Sequence, residues 1–355
     1  MQMTFNGAAG KLRFSDFELY VDNKSRKRSG HMSHAMVEYQ PGKVIAFNSN
    51  CSAERLDGHS AFGWIEYRYS EDYGRTWGEV HELEYSKKLL LDGIYTMSVE
   101  KAVAVDGVIT IFAVRNTQFE EICCEPWATP IVMQSYDYGK TWSDPVEFST
   151  YKGRVYDAVV KDNVIYALEV CNENHVCKRP EDLYRLFASC DGGGSFKELS
   201  VVDTIHSGHA YGALLVRSDG ALLAYANNIE NGFELDISIS FDNGASWQRQ
   251  PTVTLSKGVR NVQVSQLEDG YIMHGRAIHK DAPWGQGFVF YSSKDGVNWD
   301  KGFYIEEYKR SCYYSSNLLL REPGEKERLL VQYSDTYGPV NQVDVRHLTV
   351  TLDQK

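Results

Sequence analysis

Residues 70–77 read SEDYGRTW, and similar eight-residue stretches recur along the chain. Close copies lie at 135–142 (SYDYGKTW), 189–196 (SCDGGGSF) and 240–247 (SFDNGASW), and a degenerate copy lies at 292–299 (SSKDGVNW). The residue types suit a tight hairpin turn, because Asp accepts backbone N–H groups, Gly takes a positive φ and the Ser or Thr hydroxyl closes the loop. We therefore expect one kind of turn at regular intervals, with its Trp packed between sheets.

A second repeat runs in phase with these turns. It consists of an apolar strand of period two, a tight turn and a second apolar strand. The six turns centre on Gly42, Gly107, Asn163, Gly220, Gly270 and Gly324, which lie 50 to 65 residues apart. Such a period holds about four strands with their loops, the content of one propeller blade.

The sequence thus predicts an all-β fold, a six-bladed β-propeller with four-stranded antiparallel blades. We expect a single domain over residues 1–355, in which a strand at about residues 12–21 pairs with the last blade and closes the ring. No substantial helix is expected apart from one helical turn at residues 180–183.

The composition excludes several classes of function. The 355 residues carry a net charge of −11 and a pI near 5.4, which argues against binding to nucleic acid or anionic lipid. No apolar run approaches the ~20 residues of a membrane span, and residues 1–11 lack the features of a secretory signal, so we expect a cytoplasmic protein. Seven cysteines without a CxxC pair predict reduced thiols and no metal site. No cofactor is expected.

In a propeller, the starts of the innermost strands and the ends of the second strands surround the mouth of a central channel. Here these positions carry Arg, His, Asn and Tyr from all six blades, a locally basic ring in an acidic protein. Because Arg matches carboxylates while Asn and His match sugar hydroxyls, we expect a glycan or sugar-acid ligand. The candidate binding residues are His31, His34, Arg154, Asp157, His209, Tyr211, Arg260, Arg276 and His279.

The repeated turn resembles the Asp box, or bacterial neuraminidase repeat, of the sialidase superfamily, and the resemblance covers nearly the whole chain. It implies that the Asp and Trp residues of the turns belong to the outer rim of the propeller and not to the site. It also implies two catalytic residues. Tyr314, followed by Ser315, is similar to the family's Tyr-Ser nucleophile motif, and Asp57 is similar in position to the family's acid/base. A neutral nucleophile suits an anomeric carbon that bears a carboxylate, because it avoids charge repulsion.

The sequence departs from this family at the residues that bind the substrate carboxylate. Residues 31–35 read HMSHA where the family has the first Arg. In the fourth blade Tyr211 aligns with the activating Glu and Asn227 with the second Arg. Arg276 is a partial substitute for the third Arg, on a different strand from the expected one. Because each lost charge-assisted pair is worth about 1.5–3 kcal/mol, unmodified sialic acid is not the expected substrate.

Three functions remain open from the sequence. The first is a divergent sialidase-like glycoside hydrolase that acts on another sugar or sugar acid. The second is a lyase for uronic-acid sugars, in which His or Tyr abstracts the proton α to a carboxylate that Arg neutralises. The third is a glycan-binding propeller without catalysis, because one fold hosts many functions. The sugar, the linkage and the oligomeric state stay open.

Overall fold

A computed structural model shows six small antiparallel sheets in a ring, which confirms the predicted six-bladed β-propeller. It describes residues 3–58, 60–117, 125–204, 208–278, 286–309, 313–338 and 341–354. Three short strands come first: β1 (Met3–Asn6), β2 (Lys11–Phe14) and β3 (Glu18–Val21). The short helix α1 (Asn23–Arg26) follows, and its first turn is capped by Asp22, whose carboxylate accepts the Ser25 N–H at 2.9 Å.

The first three blades follow in chain order, each built from an innermost strand outward. Blade 1 contains β4 (Arg28–Ser29), β5 (Met36–Gln40), β6 (Lys43–Ser52), β7 (Gly63–Ser70) and β8 (His81–Glu82). Blade 2 contains β9 (Tyr95–Val105), β10 (Val108–Thr117), β11 (Ile131–Ser135) and β12 (Val146–Glu147). Blade 3 contains β13 (Arg154–Lys161), β14 (Val164–Cys171), β15 (Leu183–Ser189) and β16 (Lys197–Val201).

The remaining blades repeat this plan. Blade 4 contains β17 (His209–Val216), β18 (Leu222–Asn228), β19 (Glu234–Ser240), β20 (Gln248–Arg249) and β21 (Val253–Thr254). Blade 5 contains β22 (Arg260–Leu267), β23 (Gly270–Ile278), β24 (Gln286–Ser293) and β25 (Phe303–Lys309). Blade 6 contains β26 (Ser315–Leu320), β27 (Arg328–Thr336) and β28 (Val343–Asp353), and β2 and β1 complete it on the outer side.

The ring closes through strands from both ends of the chain. The innermost strands β5, β9, β13, β17, β22 and β26 each contact the next, and β26 contacts β5 again. In blade 6, β2 pairs antiparallel with β28, with Leu12 opposite Leu352, and β3 pairs further along β28. The last blade therefore combines strands from both ends of the chain and packs between blades 5 and 1.

Helical structure differs from the expectation in two places. A second helix, α2 (Glu84–Leu91), joins blade 1 to blade 2. Its residues are mostly good helix formers, and its Leu89 side chain is buried. Residues 180–183 form a turn into β15 and no helix, because Asp182 accepts the backbone N–H groups of Lys178 and Arg179 at 2.9 Å each. None of the described helices is long and apolar enough to span a membrane.

The repeated turns hold themselves together by local hydrogen bonds. In the first, the Ser70 hydroxyl accepts the Gly74 N–H at 2.8 Å and the Thr76 hydroxyl donates to Asp72 at 2.6 Å. The same contacts recur in the turns at 135–142, 189–196 and 240–247. In the fifth, Ser293 takes this role in place of Ser292, so that turn is one residue shorter. The Asp carboxylates are thus engaged within their own turns.

Beta-bulges interrupt four innermost strands near the mouth, the end of the channel where these strands begin. Register shifts fall at Glu100 in β9, Tyr156 in β13, Tyr211 in β17 and Asn261 in β22. Tyr211 and Asn261 also have positive φ values of 61° and 54°. Because a bulge bends its strand and redirects a side chain, it explains how residues of an antiparallel ladder come to face the channel.

Candidate functional site

A small polar cavity lies between the starting segments of the innermost strands. Its volume is about 30 Å³, which is room for one or two water molecules. Side chains from five blades line it, among them His34, Glu100, Arg154, Tyr156, Asn261 and Tyr314. The mouth therefore has a closed, hydrogen-bonding floor.

Two tyrosine hydroxyls meet beside this cavity. The Oη atoms of Tyr211 and Tyr314 are 3.0 Å apart, so one phenol donates to the other. The His31 ring meets Tyr314 edge-on, with centroids 4.7 Å apart, and the His175 ring meets Tyr211 at 4.9 Å. The Tyr156 ring is 5.3 Å from that of Tyr211. Residues from blades 1, 3, 4 and 6 thus form one aromatic cluster at the mouth.

Two arginines face each other beside this cluster. Arg260, the first residue of β22, is the direct cross-strand partner of Arg276 on β23. The Arg276 guanidinium carbon lies 5.0 Å from the centre of the Tyr314 ring. Burial, and then the neighbouring Tyr211, raise the pKa of the Tyr314 phenol, against the opposing charges of Arg276 and Arg260. Tyr314 is therefore a neutral phenol at neutral pH, next to concentrated positive charge.

Two ion pairs join blade 2 to blade 3, and the first of them lies at the floor. Arg154 donates to Glu100 Oε2, through Nε at 2.9 Å and also through a terminal nitrogen. The Lys101 ammonium is 2.7 Å from Asp157, which also accepts the Leu214 N–H at 2.8 Å. Burial raises the pKa of Glu100, against the opposing charge of Arg154. The charges of the predicted binding residues Arg154 and Asp157 are thus engaged inside the protein.

Two predicted binding histidines are held within the fold. The His34 ring is fully buried, with Nδ1 3.4 Å from the Gln332 amide nitrogen, and burial lowers its pKa to about 4. His209 lies with Nε2 3.3 Å from the buried carboxylate of Asp236. Of the predicted set, the contacts at the mouth bring together His31, Tyr211, Arg276 and Tyr314, with Arg260 opposite Arg276.

Asp57 sits apart from these contacts. It lies in the 3₁₀ turn Arg55–Gly58 with a φ of 53°, its side chain is exposed, and its backbone carbonyl accepts the Asn341 N–H at 3.1 Å. Within the described residues its carboxylate forms no hydrogen bond or ion pair with Tyr314. His279 lies outside the described residues. No group of three His, Cys, Asp or Glu that could hold a metal occurs in the part of the chain that the structure describes.

Sequence reasoning missed three residues at this site. Glu100 and Lys101 lie within β9, and His175 follows β14. A signal for the first two was present, because β9 reads YTMSVEKAVAV and two adjacent charges break an otherwise apolar strand. Their partners on β13 could not be read from the sequence, since that pairing depends on how two blades pack.

Comparisons with solved structures show which folds this chain resembles. No family model and no curated protein matches the chain. A solved structure of a Dyadobacter fermentans protein of unknown function matches with a TM-score of 0.74 at 13% identity, covering 96% of this chain and 99% of that one. A Hadza microbial sialidase matches with a TM-score of 0.67 at 14% identity, covering 94% of this chain and 68% of that one. The phage phi92 endosialidase matches with a TM-score of 0.69 at 8% identity, covering 98% of this chain and 70% of that one. The chain is therefore similar in fold to six-bladed sialidase propellers.

Proposed function

We propose that this protein binds a carboxylate-bearing sugar at the channel mouth and hydrolyses its glycosidic bond. The observation that carries the proposal is the cross-strand pair Arg260 and Arg276 beside the Tyr211–Tyr314 hydroxyl pair. A guanidinium can form bidentate, charge-assisted hydrogen bonds with a carboxylate, and these two arginines lie on adjacent strands beside the tyrosines. The similarity in fold to sialidases supports a role in glycan chemistry.

The proposal assigns roles to the remaining predicted residues. With the sugar carboxylate on the arginines, Tyr314 Oη, the proposed nucleophile, would bond to the anomeric carbon and release its proton to water through the Tyr211 hydroxyl. The glycosidic C–O bond would break in the same step, with Asp57 protonating the leaving oxygen. Water would then displace Tyr314 from the sugar, giving one proton back to Asp57, and the Tyr314 phenol would be restored. His31 and Tyr211 would hold Tyr314 in position through the contacts described above. A buried, neutral phenol can approach an anionic sugar without charge repulsion.

The arginine pair gives the first test. Arg276→Gln and Arg260→Gln should each weaken binding of a glucuronide about 10- to 150-fold, since a charge-assisted hydrogen bond is worth about 1.5–3 kcal/mol. Binding of the matching neutral glucoside should change little. Arg249→Gln, on the outer strand of blade 4, is the control. Titration calorimetry with both sugars measures the difference, and equal losses for the acid and the neutral sugar would contradict the proposal.

The proposed acid gives the second test. Asp57→Asn should abolish the release of reducing ends from a hydrolysed acidic glycan while binding persists, because Asn cannot donate the proton to the leaving oxygen. Reducing-end release by the variant and the wild type, at matched ligand saturation, measures this. Turnover unaffected by the substitution would remove Asp57 from the acid role.

A second candidate, a lyase for uronic-acid sugars, is favoured by the surroundings of Tyr314. Among the described residues, its side chain contacts a phenol, an imidazole and a guanidinium rather than a carboxylate. The His31 imidazole beside the neutral Tyr314 phenol suits abstraction of the α proton from a sugar whose carboxylate is neutralised by Arg276. Elimination would give an unsaturated product that absorbs in the near ultraviolet, whereas hydrolysis would not. Binding without either product would indicate a glycan-binding propeller.

A further inference from the structure

Three side chains that line the small polar cavity each keep one polar atom without a partner. They are His34, which precedes β5 in blade 1, Glu100 on β9 of blade 2 and Tyr156 on β13 of blade 3, and all three side chains are at least nine-tenths buried. Among the described residues, His34 Nε2, Glu100 Oε1 and Tyr156 Oη have no hydrogen-bond partner. Because a buried polar atom without a partner costs stability, such atoms mark a place where water or a ligand bonds.

Other polar side chains of the same cavity are engaged by the protein itself. The Ser33 hydroxyl accepts the Val99 N–H at 3.1 Å, so it joins blade 1 to blade 2. The Ser315 hydroxyl lies 3.2 Å from Nδ1 of His274, which joins blade 6 to blade 5. The cavity wall is thus not generally short of partners, and the three unpartnered atoms stand out from it.

The bonds that these three side chains do form define what a ligand must offer. The Gln332 amide nitrogen, a donor, lies 3.4 Å from His34 Nδ1, and burial lowers the pKa of His34 to about 4, so the neutral ring carries its proton on Nε2. Both Arg154 bonds go to Glu100 Oε2, which leaves Oε1 as an acceptor. The Tyr156 phenol can donate or accept. A hydroxyl group matches this set, because it can donate to Glu100 and accept from His34 and Tyr156.

The cavity and the proposed sugar site share Tyr314. Its side chain lines the cavity, its ring centre lies 5.0 Å from the Arg276 guanidinium carbon, and its hydroxyl meets that of Tyr211. A sugar ring that lies at Tyr314 with its carboxylate on Arg276 would therefore border the cavity. A volume of about 30 Å³ admits a hydroxyl group and is too small for an acetamido group.

We propose that this cavity, which we call the hydroxyl subsite, binds one ring hydroxyl of the sugar and selects sugar acids that carry a free hydroxyl at that position. This inference rests on the proposed function, because it extends the same site. A site built to bond a hydroxyl rejects the analogue that lacks it, because the buried groups of the site are then left unpaired. The arginines would thus select acidic sugars, and the hydroxyl subsite would select among them.

The test compares methyl glucuronide with its monodeoxy analogues, each lacking one ring hydroxyl, by titration calorimetry on the full chain. On the wild type, one analogue should bind at least about tenfold more weakly than the parent sugar, while the others lose less. Tyr156→Phe should reduce this ratio about three- to tenfold, because it removes one hydrogen bond to the ligand hydroxyl and keeps the ring. Tyr225→Phe is the matched control and should keep the wild-type ratio, since that buried hydroxyl donates to Gly296 and does not line the cavity.

The outcomes separate this inference from the proposed function. If methyl glucuronide binds and no analogue is rejected, or if Tyr156→Phe leaves the ratio unchanged, the hydroxyl subsite is overturned while carboxylate recognition stands. If methyl glucuronide does not bind, the proposed function and the hydroxyl subsite both fail.

Thermal unfolding without ligand gives a second readout. Tyr156→Phe should not lower the melting temperature, because its hydroxyl has no partner among the described residues, whereas Tyr225→Phe should lower it by removing a bond. A lower melting temperature for Tyr156→Phe would show that the protein itself bonds this hydroxyl, and it would overturn the inference.

Discussion

At the scale of a single residue, the fold strongly changes the pKa of Glu169. It lies on β14 in blade 3 and is fully buried. Burial raises the pKa of its carboxyl from 4.5 to about 8, against the smaller, opposite influences of Ser149 and Arg185. Because the pKa of this carboxyl is higher in the folded than in the unfolded state, the full free energy of unfolding is kept below about pH 4.5, where Glu169 is protonated in both states. As the pH rises towards 8, ionisation of Glu169 favours the unfolded state and the free energy of unfolding falls. Glu169 therefore makes the protein less stable at alkaline pH than at acidic pH.

Replacing Glu169 with Gln should remove this dependence. The free energy of unfolding should increase by about 2–4 kcal/mol at pH 8, because the variant has no buried carboxyl to ionise, and it should change little at pH 4. Urea unfolding at the two pH values measures the effect. Glu181→Gln is the control, since that carboxylate is exposed on the same blade. An equal change at both pH values would show that the titration of Glu169 does not cause the effect.

At the scale of elements, local chemistry decided what could be predicted. The turns and hairpins followed from the sequence because Ser, Asp and Gly fix each turn through contacts within eight residues. Helix α2 was missed because its pattern is short and sits between β elements. The bulges at Glu100 and Tyr156 were missed because a register shift depends on the partner strand. The same two bulged residues line the floor of the site, so its ion pair between Glu100 and Arg154 could not be predicted either.

The turns also join neighbouring blades, which gives a prediction for Gly139. Its φ is 86°, and a Cβ there would lie 2.7 Å from Ile45 and 2.9 Å from the Tyr69 hydroxyl, both in blade 1. Gly139→Ala should therefore destabilise the protein by about 2–4 kcal/mol, from backbone strain together with overpacking. Gly192→Ala, at a φ of 70° with no atom within 4 Å, should cost only the strain, about 1–2 kcal/mol. Equal losses by denaturant unfolding would contradict a role in blade packing.

At the scale of the whole molecule, the sequence indicated which residues reach the mouth but not which of them meet. Arg154 and Asp157 were predicted to bind ligand, yet each lies against an opposite charge from blade 2. Tyr314 and Arg276 were predicted from separate motifs and lie in contact. Such contacts join residues far apart in the chain, and only the closed ring defines them. The contacts at the mouth therefore form only when the ring of blades is closed.

The closure itself can be tested at Phe14, on the strand that the N-terminal segment adds to blade 6. Phe14 is buried, and its ring contacts Phe290 and Phe303 of blade 5 at centroid distances of 5.0 and 5.8 Å. Phe14→Ala should cost about 3–5 kcal/mol and shift one cooperative transition, because the loss acts on two blades at once. Leu19→Ala, at a residue half exposed on β3 in the same sheet, should cost less than about 1 kcal/mol. Calorimetry distinguishes the outcomes: a separate early transition in Phe14→Ala would mean that blade 6 unfolds alone and that the ring is not a single cooperative unit.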